Sequence, residues 1–69
     1  MSDAIFDLIT REQAKAERRR ANVETTKTEI EIFGDSAKLR SKLARQEAAV
    51  QESVDNLDKL NKAAGKLKK

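Results

Sequence analysis

Two stripes of apolar residues repeat every seven positions, and one short glycine-containing segment separates them. In the second half of the chain Leu43, Val50, Leu57 and Ala64 recur at that interval, with Leu39, Val54, Leu60 and Leu67 on adjoining positions. In the first half Ile9, Ala16, Val23 and Ile30 do the same, with Ile5 and Phe33 at companion positions. A seven-residue repeat places its members on one face of an α-helix that packs lengthwise against another helix. The companion places between Ile5 and Phe33 hold Glu12, Arg19 and Thr26, so this first stripe is apolar at both ends and polar in the middle.

The separating segment reads FGDSAKL. Gly34 has access to the left-handed conformation that ends a helix, and Asp35 or Ser36 has the side-chain oxygen that caps the next one. The spacing therefore predicts an all-α chain: a helix over about 3–33, a turn at 34–35, a helix over about 36–64, and a frayed basic tail over 65–69 beginning at Gly65. Folded back on itself, this is an antiparallel two-helix hairpin of coiled-coil type. An unbroken rod paired antiparallel with a second copy satisfies the same pattern, and Gly34 favours the hairpin. Two local readings compete. The segment TEIEIF at 28–33 alternates like a strand but has no second strand to pair with. Thr10 followed by Gln13 has the spacing of a capping box, which would start the first helix there and leave residues 1–9 as a separate arm.

The charge pattern also suits antiparallel packing. Acids dominate residues 1–9, bases 10–20, acids 21–36, bases 37–45, acids 46–58 and bases 59–69, for a net charge of +3. A reversal near Gly34 lays every block beside one of opposite sign. Exposed ion pairs contribute only about 0.2–1 kcal/mol each, too little to drive folding but enough to select an orientation. On this reading Arg18, Arg19 and Arg20 lie against Glu52 and Asp55, and the long Glu12 and Arg19 side chains, like Glu47 and Asn61, sit at the edge of the seam.

The chain has no Cys and no His, so disulfides, thiolate ligands, the common zinc sites and most general-base arrangements are excluded, and its acids are scattered singly rather than in a calcium-loop spacing. This inventory argues against an enzyme and calls for no cofactor or metal. The longest purely apolar run is three residues, far short of a membrane span, and no secretory signal pattern is present. The expected setting is the cytoplasm or the interior of a macromolecular assembly, neither secreted nor membrane-spanning.

One seam between two helices is a small core, and ordering costs about 1.5 kcal/mol per residue. Association is the expected remedy, either as two hairpins in a four-helix bundle or as one hairpin docked on a larger protein. The segment DAIFDLIT concentrates Ile5, Phe6, Leu8 and Ile9 at one end. Ile5 and Ile9 suit the seam near Leu60, Ala64 and Leu67, whereas Phe6 and Leu8 point to its flanks and ask for a second surface. These four residues are the candidate partner-binding site. The rival class is a small dimeric nucleic-acid-binding protein using Arg18, Arg19, Arg20, Lys59, Lys62, Lys66, Lys68 and Lys69. Against it stand the modest net charge and the absence of Trp and Tyr for base stacking. No motif is specific to one family. The sequence reads best as a non-enzymatic interaction or structural protein, analogous in general form to small accessory proteins of phage particles or small helical inhibitors.

Overall fold

In a computed structural model, residues 3–67 are described, with side chains from 4 to 66. They form two α-helices of 31 residues each, α1 over Asp3–Phe33 and α2 over Ala37–Leu67. The helices run antiparallel and make a rod with extents of 52 × 14 × 12 Å. The residue numbers of every cross-helix hydrogen bond add to between 68 and 72, as the reversal near Gly34 requires.

The connection shows why the chain turns where it does. Gly34 has a φ of +92°, in the left-handed region, and its N–H donates to Ile30 O at 2.9 Å, closing the last turn of α1. Ser36 caps α2: its Oγ accepts from Leu39 N at 3.1 Å while its carbonyl accepts from Arg40 N at 3.0 Å. Asp35 holds Arg40 at 3.2 Å across the same corner. Ser36 rather than Asp35 is thus the capping residue, and α2 begins at Ala37, one residue later than the spacing predicts.

Both competing local readings give way to helix. Residues 28–33 are helical throughout. Thr10 lies inside α1, where its Oγ1 donates back to Phe6 O at 3.0 Å, so it caps nothing and residues 3–9 continue the helix. Thr25 and Thr28 make the same bond to Ala21 O and Glu24 O, which is how this Thr-rich stretch is accommodated.

At the other end α2 runs through Gly65 to Leu67, so the fraying expected from residue 65 does not begin there; residues 68 and 69 of that tail lie outside the described residues. Gly65 is exposed, and a Cβ built on it meets nothing within 4 Å. Gly65→Ala is therefore expected to stabilise the hairpin by about 0.5–1 kcal/mol, through the backbone entropy that glycine loses in a helix. Thermal denaturation followed by circular dichroism checks this, with a rise of several degrees as the expected result.

The seam between the helices is small and partly polar. Its buried apolar residues are Ala16, Val23 and Ala64, while Thr26 and Ser53 are 1 % and 0 % exposed. Ile5, Ile9, Ile30, Leu39, Leu43, Val50, Leu57 and Leu60 are half-buried along it. Val54, expected beside the α2 stripe, is exposed, because Ser53 occupies the seam at that level. Phe33 is 78 % exposed: it is the last residue of α1, and the chain opposite it is the turn into Ala37, too short to cover a phenyl ring.

Candidate functional site

Three polar rungs cross the seam. Thr26 Oγ1 donates to Gln46 Oε1 at 2.6 Å. Arg19 Nη1 donates to Ala49 O at 2.7 Å and to Ser53 Oγ at 2.8 Å. Asn56 Nδ2 donates to Glu12 Oε1 at 3.4 Å. Their α1 members are the three polar companions spaced by seven. Arg19 thus crosses the seam instead of lying at its edge, because Ala49 and Ser53 are small enough to let the guanidinium reach a main-chain carbonyl and a hydroxyl. Glu12 is half-buried with it, and Glu47 and Asn61 are exposed. Among the described residues no buried side-chain nitrogen or oxygen lacks a hydrogen-bond partner, so these rungs satisfy the polar atoms the seam encloses.

The four candidate partner-binding residues do not make one surface. Ile5 and Ile9 are half-buried in the seam, while Phe6 and Leu8 are 47 % and 49 % exposed. Two residues apart on a helix, Phe6 and Leu8 diverge by about 200° and leave the seam on opposite sides. Leu8 faces a shallow groove of about 480 Å³, which it lines with Leu60, Glu12 and Asn56. Three cations, Arg11, Lys15 and Lys59, complete that groove.

A second apolar cluster lies at the turn. Ile32 is 68 % exposed and Phe33 78 %. The seven-residue stripe puts Phe33 on the seam and leaves Ile32 without a place. The available signal was its position: a large residue in the last turn before a short connection has little opposite it to pack against.

The basic residues of the rival reading are dispersed. Arg18 and Arg20 are exposed but Arg19 points across the seam, so the RRR cluster presents two cations outward rather than three. Lys59, Lys62 and Lys66 are exposed on α2, with Lys62 held by Asp58 at 3.1 Å, and Lys68 and Lys69 lie outside the described residues. In the antiparallel register Lys59 is level with Arg11, about two helical turns from Arg18 and Arg20. The expected neutralisation of Arg18, Arg19 and Arg20 by Glu52 and Asp55 is not formed: among the described residues the one ion pair that joins the helices is Lys42–Glu29, at 3.5 Å. Flexible side chains on the outer faces instead pair within their own helix, as in Arg11–Asp7, Lys27–Glu24 and Lys62–Asp58.

Among the described residues no group of His, Cys, Asp or Glu is arranged to hold a metal ion, and no helix is long and apolar enough to cross a membrane. No known protein family, curated protein or solved structure matches the chain.

Proposed function

We propose that this chain is a non-enzymatic helical interaction protein that works assembled, as an oligomer such as a four-helix bundle or as a small subunit of a larger complex. One observation carries the reading: the distribution of apolar residues between inside and outside. Among the described residues the buried apolar side chains are those of two alanines and a valine, whereas Phe6, Leu8, Ile32, Phe33 and Val54 are exposed. A rod of two helices with its largest side chains in water gains further apolar burial only through another molecule. The exposed cations serve orientation and solubility in this reading, and nucleic acid is the rival ligand.

Substituting Phe6, Leu8, Ile32 and Phe33 together by Ser tests it. Each side chain is exposed, so helicity measured by circular dichroism is expected to persist while the assembled species seen by light scattering behind size exclusion disappears. Unchanged association in that variant shows that these exposed apolar residues do not carry the assembly, which removes the observation the reading stands on. Retention of the unmodified chain on nucleic acid at physiological salt defeats the reading, if it falls steeply with added salt and is lost in Arg18→Glu with Lys59→Glu.

A further inference from the structure

We infer that the groove at the open end of the hairpin receives the Ile32–Phe33 tip of a second copy of this chain, the two copies lying antiparallel so that both grooves are filled at once. This rests on the reading of the chain as an assembling protein and specifies its partner and face.

In the seven-residue frame set by the seam, Ile32 and Phe33 lie about 50° to either side of the direction of Leu8, so groove and tip are on the same flank of α1. They are separated by 25 residues or fewer, roughly 37 Å along the helix. A two-fold axis across the middle of α1 therefore brings each tip onto the other copy's groove, and the contact closes as a dimer instead of propagating.

The groove draws its cations from two basic blocks, Arg11 and Lys15 from 10–20 and Lys59 from 59–69. The tip ends the acidic block 21–36, which carries four acids and one base. The flank itself runs Leu8, Arg11, Lys15, Arg18, Asn22, Thr25, Glu29 and Ile32 in alternating steps of three and four, the spacing of a helix-packing face. Aligned antiparallel, residues whose numbers add to 40 meet: Leu8 with Ile32, Arg11 with Glu29, Lys15 with Thr25, Arg18 with Asn22. The corresponding self-pairing of α2 sets bases 37–45 against bases 59–69 and acids 46–58 against themselves, which is repulsive. Charge thus disfavours α2 as the contact, and on α1 it offers one complementary pair, Arg11 with Glu29, which exchange their partners within the hairpin, Asp7 and Lys42, for each other.

The chain exposes 5384 Å². A compact protein of its 7.7 kDa exposes about 4,300 Å², so the surplus is about 1,000 Å². A stable interface covers about 800 Å² on each partner, which one additional copy supplies.

The test uses the full chain, which has no cysteine of its own. Leu8→Cys combined with Ile32→Cys is expected to oxidise to a covalent dimer on non-reducing gels; within one copy these positions lie too far apart along α1 to join. Ile32→Ser with Phe33→Ser is expected to weaken dimerisation at least tenfold with helicity unchanged. A ladder of covalent multimers overturns the closed two-fold arrangement. A dimer that resists cross-linking at 8 and 32 but dissociates in Phe6→Ser with Val54→Ser overturns the choice of flank and leaves the assembly reading intact. A monomer at tens of micromolar overturns self-association, and docking on a different protein then remains as the form the assembly takes.

Discussion

Ser53→Leu is expected to abolish the cooperative thermal transition of the hairpin, with a loss of about 3–5 kcal/mol. Ser53 is fully buried against α1, where its hydroxyl accepts from Arg19 Nη1 at 2.8 Å. Leucine acts there in two ways. Its added volume forces the helices apart at a point of close approach, and its apolar surface strands a guanidinium inside the seam. Overpacking costs about 1–3 kcal/mol, and a lost hydrogen bond to a charged group about 1.5–3. A core of this size rarely supplies more than about 3–5 kcal/mol in all, so one substitution consumes it.

The companion variant separates the two contributions. Arg19→Met removes the cation, and Ser53 is free to bond its own helix at Ala49 O, so the expected change is within about 1 kcal/mol. In Arg19→Met with Ser53→Leu no charge is stranded and the vacated guanidinium volume receives the leucine. The double variant is expected to regain at least half of the loss, a coupling well above 1 kcal/mol between residues in direct contact. Thermal and urea denaturation of the four proteins measures the cycle. Additive effects would show that the Arg19 rung contributes nothing specific to the seam.

Replacing Gly34 by an L-residue is the second large effect. Its φ of +92° is a conformation that L side chains rarely adopt, yet a Cβ built there meets nothing within 4 Å. The penalty is therefore one of backbone conformation and not of crowding. Gly34→Ala is expected to cost about 1–2 kcal/mol, Gly34→Val more, and Gly34→Asn less, in the order of left-handed tolerance. D-Alanine introduced at this position by chemical synthesis suits positive φ and restricts the unfolded chain, so it is expected to stabilise by about 0.4–1 kcal/mol. Melting temperatures across the series check the ranking. Equal destabilisation by D- and L-alanine would show that packing, and not the sign of φ, makes glycine necessary. The two glycines thus respond to alanine with opposite signs, since Gly65 sits in helical backbone that alanine prefers.

Much of the architecture was legible because its determinants are local. The seven-residue recurrence of Ile9, Ala16, Val23 and Ile30 and of Leu43, Val50, Leu57 and Ala64 specified two helices, and Gly34 with Ser36 specified where one ended and the next began. The seam was less legible. Val54 reads as its member because it is apolar, although the interval of seven from Leu39 to Leu60 runs through Gln46 and Ser53. Arg19 reads as an edge residue because a long charged side chain usually lies there. The exposed tip was missed for a related reason: the repeat marks a face of one helix and says nothing about how far the opposing helix extends to cover it.

Helix, turn and antiparallel direction were determined by the sequence itself, since hydrophobic period and glycine stereochemistry act over a few residues and a connection of three residues between Phe33 and Ala37 leaves the second helix no direction but back along the first. Which polar side chains meet across the seam, and which apolar ones are left facing water, was decided only in the tertiary structure. That depends on the level and rotation of one helix against the other, and there the small volumes of Ala16, Ala49 and Ser53 let the backbones approach closely enough for Arg19 and Thr26 to find partners.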